Sequence, residues 1–194
     1  MGLRLKDYPI AVLDASVLFS ATLRDYLIRL AGRRVYAPRW TDMIHEEWIN
    51  AVLKRRPDIN RKQLERTRSL MDKYVLDAIV TDYELLIPSL QLPDVGDRHV
   101  LAAAIKGEAD TIVTLNLKDF PSETLNLYNV RAEHPDDFIC RLLESELEEV
   151  LLTMKEHRAR LKNPPKSSDE YLVTLEKQGL TRTVGIVKEY RNWI

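Results

Sequence analysis

Short apolar runs alternate along the first two thirds of the chain with longer stretches of helical periodicity. Ile10–Leu13 (IAVL) is such a run, stops at Asp14, and predicts a buried strand. Ala15 and Ser16 then make a turn, and Val17–Ala31 is expected as one helix closed by Gly32. Val35–Ala37 predicts a second strand, ended by Pro38. Thr41 is placed to cap a helix over Asp42–Arg56, ahead of Pro57, and Asn60 to cap another over Arg61–Tyr74. Ala78–Val80 has the pattern of a third short strand, and Tyr83–Leu90 that of a short helix or irregular segment. Thr111–Leu115 (TIVTL) is the clearest strand, β-branched and apolar, and Tyr128–Ala132 adds a last one.

Between these lies LPDVGDRHVLAAAIK, Leu92–Lys106, in which a helix is expected to open at or just after Asp94. Val100, Leu101, Ala104 and Ile105 share a face, and one turn back from that stripe stands Asp97. An ionised carboxylate heading a buried stripe is costly unless hydrogen bonds or a cation compensate it. The plain reading of Asp94 and Asp97 is a capping box.

After His134-Pro135 the pattern becomes wholly helical. Asp136 or Asp137 is expected to cap a long helix through Phe138, Leu142, Leu147, Val150 and Met154 to about Leu161. Asn163-Pro164-Pro165 breaks it, and helices over Asp169–Lys177 and Thr181–Trp193 follow, separated by Gly179. Strands alternating with helices predict a three-layer α/β/α domain with a central parallel sheet, here over residues 1–133, with a helical extension over 134–194.

In such a sheet the C-terminal strand ends share one edge, which is where open α/β folds place their chemistry. Asp14 and Asp119 follow predicted strands, and Asp97 opens the helix between them. On the helix from Asp42, a wheel puts Trp40, Met43, Ile44, Trp48 and Ala51 on an apolar face; Glu47 falls inside that arc and Glu46 opposite it. Each acid has an ordinary alternative: Asp14 as an N-cap with Ser16 as rival, Glu47 as an edge residue, Asn116 and Asp119 as turn formers. Carboxylates gathered in one place repel one another, so a proton or a divalent cation must enter. Oxygen donors favour Mg2+ or Mn2+, and four histidines with no spaced Cys/His set argue against zinc.

Composition narrows the partners. Lys+Arg at 29 against Asp+Glu at 30 gives a net charge of −1, so a polyanion would have to be met locally or through metal. Lys54, Arg55, Arg56, Arg61, Lys62, Arg66 and Arg68 form the densest basic stretch, either a solvated face or a phosphate-contact surface. The single Cys140 rules out an internal disulfide and suits a reducing cytoplasm. No signal peptide or membrane-length apolar run is visible, so a soluble cytoplasmic protein is expected.

The ordered motifs VLDASVL, IHEEW, LPDVGDRHVLAAA and IVTLNLKDFP, spanning roughly Ile10 to Ala132, resemble the PIN-domain family of metal-dependent ribonucleases, above all its VapC-type toxins of toxin–antitoxin pairs. The resemblance implies a PIN-like fold and Mg2+- or Mn2+-dependent endonucleolytic hydrolysis of RNA phosphodiesters by a metal-activated water. It places metal-site roles on Asp14, Glu47, Asp97 and Asp119, with Asp94, Asn116 and Ser16 in support. Many members carry Asn where this chain has Ser16. The segment after His134 resembles the helical extension of larger toxins of this kind, with its NPPK turn and EYLVTLEKQGL helix. Its apolar faces suit packing on the domain, a homodimer, or a cognate antitoxin. Two rivals remain: a phosphatase with an aspartyl nucleophile, which would want a second Asp where Ser16 stands, and a non-catalytic PIN-like module that binds RNA or protein.

Overall fold

The computed structural model describes residues 8–194. β1 (Ile10–Leu13) is the hub of a four-stranded parallel sheet, pairing with β2 (Ala37–Arg39) on one side and β3 (Thr111–Val113) on the other, with β4 (Arg131–Glu133) beyond β3. Val12 stands opposite Arg39 and Ile112, and Ile112 opposite Ala132. Ala11, Val12, Leu13, Ile112 and Val113 are fully buried, as strands covered on both faces require.

The order β2-β1-β3-β4 means the chain leaves β1 in one direction and returns on its other side. The crevice between the C-terminal ends of β1 and β3 is therefore a switch point, the place where α/β sheets bind ligands.

The predicted first helix is two. α1 (Ala15–Leu18) ends at Phe19, and α2 (Ala21–Gly32) restarts after Ser20, whose hydroxyl accepts from Leu23 N. The second strand lies beyond its expected place and includes Pro38, which a strand with an open side tolerates. The segment Ala78–Val80 forms only a bridge, Ile79 to Trp40, rather than a strand.

α3 (Asp42–Arg55) is capped by Thr41, and α4 (Arg61–Tyr74) carries a full capping box between Asn60 and Gln63. A 3-10 segment, Glu84–Ser89, leads to α5 (Arg98–Lys106), whose residues His99–Ala104 are all buried. Three alanines let this helix approach β1 and β3 on one side and the Glu84–Ser89 segment on another, so it has no solvent stripe there.

α3 is fixed by a polar network inside the core. Trp40 Nε1 donates to Asp72 Oδ1 at 2.9 Å, and Trp48 Nε1 donates to His45 Nδ1 at 2.9 Å. With Nδ1 accepting, His45 Nε2 carries the hydrogen and gives it to Asp72 Oδ1 at 3.1 Å. Burial lowers the His45 pKa, in keeping with that neutral ring. The Arg24 guanidinium from α2 lies 4.4 Å from the centroid of the Trp48 ring.

A short helix, α6 (Ser122–Leu125), leads toward β4, and α7 (Pro135–Arg160) then runs back over α2. α7 is capped by His134 rather than by Asp136 or Asp137, and it is bent at Glu146, whose backbone leaves helical geometry. Phe138 meets Tyr36 edge-on at 5.0 Å, which ties α7 to the domain core. With His134 as the cap, both oxygens of Asp136 accept instead from Arg182 N and Thr183 N, each at 2.8 Å, at the start of α9 (Thr181–Val187).

α8 (Ser168–Glu176) is tied down by Tyr171, whose hydroxyl meets His157 Nδ1 at 2.8 Å, while the His157 ring stacks on Tyr26 of α2. Arg33 at the end of α2 reaches Glu149 at 2.8 Å and Glu156 at 2.6 Å. The extension is thus packed on the domain through α2. Among the described residues no helix is long and apolar enough to cross a membrane.

Candidate functional site

Asp14, Asp94, Asp119 and Glu47 all lie within electrostatic reach of Asp97 at the switch point, but among the described residues they do not close on one point. Asp14 continues β1 and donates its backbone N–H to Val113 O of β3 at 3.1 Å. It occupies the cap position of α1, but its side chain makes no capping bond. Asp14 Oδ2 instead accepts from Ser16 Oγ at 2.5 Å and Thr114 Oγ1 at 2.8 Å. Both hydroxyls are bound in turn, accepting from Leu115 N and Asn116 N at 3.0 Å. The buried Asp14 is therefore oriented through one oxygen, while Oδ1 has no hydrogen bond among the described residues.

Asp94 accepts from Gly96 N at 2.7 Å and starts a 3-10 turn over Val95–Asp97. Asp97 does not reach back to complete a capping box, and its carboxylate has no hydrogen bond or ion pair among the described residues. Its pKa is pushed up to about 6, first by burial and then by Asp14, Asp94, Asp119 and Glu47. Each of these four neighbours acts in the same direction, so the crevice holds a concentrated negative field.

Asn116 and Asp119 bound a 3-10 turn closed by Asp119 N donating to Asn116 O at 3.0 Å. The turn uses backbone groups alone: the Asn116 side chain is exposed without a bond to it, and the Asp119 carboxylate makes no hydrogen bond among the described residues but acts on Asp97.

Glu47 is placed differently from the wheel. The buried face of α3 is Ile44, His45, Trp48, Ile49 and Val52, whereas Met43 and Ala51 are exposed. The arc is rotated because Trp48 and His45 turn toward Asp72 and Arg24. Glu47 is consequently an exposed edge residue, yet its Oε1 lies 2.9 Å from Nε2 of the buried His99. Glu46, which the wheel sets opposite the apolar arc, is instead the more covered of the two, bound by Arg61 of α4 at 3.0 Å.

Two residues of the site went unnoticed in the sequence. Thr114 is a polar position at the end of an apolar strand, and His99 is a polar position inside a helix buried on every side. Either irregularity is a signal, though a weak one without a partner in view.

The basic stretch is divided by pairing. Arg56 is bound by Asp58, Arg61 by Glu46 and Glu65, and Arg68 by Asp42. Lys54, Arg55, Lys62 and Arg66 have no ion pair among the described residues.

Among the described residues no group of three or more His, Cys, Asp or Glu side chains is drawn in closely enough to hold one metal ion. The carboxylates sense one another without converging, which is what mutual repulsion produces. The chemistry of the donors still suits a hard divalent cation: they are carboxylate oxygens only, and Asp97 is driven toward its neutral form by burial and by the other carboxylates. A cation is the group that would relieve both conditions.

A family model described as "PIN domain" matches residues 11–118, and one described as "VapC50 C-terminal domain" matches residues 135–189. A protein of Mycobacterium tuberculosis (strain ATCC 25618 / H37Rv) named "Putative ribonuclease VapC50" is 54% identical over 48 residues. That match covers 25% of this chain and 28% of the relative. No solved structure matches. The first of the two family matches takes in more than half the chain, including α3, α5, β3 and all but the first residue of β1, and on it the chain belongs to the PIN-domain family.

Proposed function

We propose that the protein is a Mg2+- or Mn2+-dependent endoribonuclease, the toxin of a type II toxin–antitoxin pair. The observation that carries this reading is the negative field around Asp97, whose pKa is raised to about 6 first by burial and then by Asp14, Asp94, Asp119 and Glu47 together. Residues 1–133 form the nuclease domain on this reading and residues 134–194 its helical extension. Asp14, Asp97 and Asp119 would hold the cation, with Glu47 as a further ligand or a positioner of water, and Asp94, Asn116 and Ser16 in support. When bound, the ion supplies charge neutralisation and water activation for phosphodiester hydrolysis.

The chain's own residues do the rest. Ser16 and Thr114 hold Asp14 Oδ2 and so fix where Oδ1 stands. Lys54, Arg55, Lys62 and Arg66, on α3 and α4, leave positive charge unneutralised on and beside the helix that also carries Glu47, which favours a polyanionic substrate. A cognate antitoxin would silence the enzyme by covering the acidic crevice.

The test is RNA cleavage with Mn2+ by the wild type, Asp14→Asn and Asp97→Asn. The reading expects cleavage by the wild type and a loss of at least about a hundredfold in each variant. Equal rates in all three would reject it.

A further inference from the structure

His99 sits on α5, only 2% exposed, two residues past Asp97, yet it faces a carboxylate from another element. Its Nε2 lies 2.9 Å from Glu47 Oε1. The glutamate accepts, so Nε2 carries the hydrogen. The other ring nitrogen, Nδ1, is buried with no hydrogen-bond partner. A hydrogen there would be a buried donor with nothing to accept it, so the lone pair belongs on that side.

Glu47 is in the opposite condition. It stands on the exposed edge of α3, where a long acidic side chain ordinarily samples many rotamers. The His99 ring cannot sample alternatives, because α5 is packed against β1, β3 and the Glu84–Ser89 segment. An immobile donor therefore selects one arrangement of a mobile carboxylate. Oε1 is tethered, and Oε2 has no hydrogen bond among the described residues. This repeats the state of Asp14, which is held through Oδ2 with Oδ1 left over.

We propose that His99 is a positioning residue that pins Glu47 Oε1 and thereby fixes where its free Oε2 stands on the Asp97 side of α3. What the pinned carboxylate serves rests on the nuclease reading above; the pinning itself does not. His99 is too buried to meet a substrate and acts only through Glu47.

The experiment compares His99→Leu, which removes the donor, with His99→Gln, which keeps an N–H, each alone and combined with Glu47→Ala. Mn2+ affinity by calorimetry and Mn2+-dependent RNA cleavage are both read. His99→Leu should weaken Mn2+ binding by about tenfold or more, as loss of a partner behind a ligand does. His99→Gln should restore most of that, and His99→Leu should add nothing once Glu47 is alanine. Losses that multiply in the double variant would show that His99 does not act through Glu47 and overturn the proposal.

If His99→Leu does not fold, 1H–15N NMR of the histidines in the wild type decides. An Nε2–H tautomer whose signal moves in Glu47→Ala is expected, whereas an Nδ1–H tautomer or an indifferent signal overturns the proposal. A wild type that binds Mn2+ but cuts no RNA would remove the nuclease reading, and the affinities and the NMR signal would still judge His99.

Discussion

Thr114 Oγ1 donates to Asp14 Oδ2 across 2.8 Å, joining the ends of two parallel strands 100 residues apart in sequence. The bond is buried and charge-assisted, and it sets which oxygen of Asp14 is free. Thr114→Val keeps the shape and removes the donor. It should cost on the order of 1.5–3 kcal/mol of stability, seen in urea melts, and weaken Mn2+ binding by about ten- to a hundredfold. Unchanged Mn2+ affinity in this variant would show that the orientation of Asp14 is immaterial.

Asp97 gives a pH dependence with a defined sign. Its folded pKa of about 6 lies above its ordinary 3.8, so the folded state holds this proton more tightly than the unfolded chain. That contribution is complete below 3.8 and is lost as pH rises through about 6. In EDTA, the wild type should therefore lose melting temperature relative to Asp97→Asn as pH is raised from about 4 to 7. A difference between the two that stays flat, or grows in the wild type's favour, contradicts the assignment.

Asp136 tests how the extension is held. It caps α9 from α7 by accepting from Arg182 N and Thr183 N, and it is itself 6% exposed. Asp136→Ala should cost about 1–2 kcal/mol locally, equivalent to roughly tenfold faster amide exchange over Thr181–Val187. RNA cleavage should persist, because the cap lies outside the acidic crevice. Unaltered exchange in α9 would mean that its apolar contacts alone fix it.

The alternation of short apolar runs and helical stretches was enough to place β1, β3, α3, α4 and α5 and to infer a parallel sheet. What escaped the pattern was decided by tertiary partners and local caps. Ser20 splits the first helix because its hydroxyl caps α2, a local choice that apolar periodicity does not encode. Pro38 lies inside β2 because β2 pairs as a strand only with β1.

At the site, Asp14, Asp97 and Asp119 were legible as acids beside strand ends or a helix start. Their usual structural duties as caps and turn formers turn out to be carried by backbone groups or by other residues. Of the adjacent glutamates on α3 it is Glu47 that senses Asp97, but for a different reason than the wheel supplies. The wheel drew it into the core, whereas the structure leaves it at the edge and brings His99 to it. A pairing between residues 52 positions apart has no trace in local periodicity.

The most direct measurement is Mn2+ calorimetry at neutral pH on the wild type and Asp97→Asn, with melting temperatures recorded with and without the ion. If the crevice is a knot of repelling carboxylates that a hard cation unties, the wild type will bind Mn2+ and melt higher with it, and Asp97→Asn will bind at least about tenfold more weakly and gain correspondingly less. Equal binding by both proteins, or no heat from either, would contradict it.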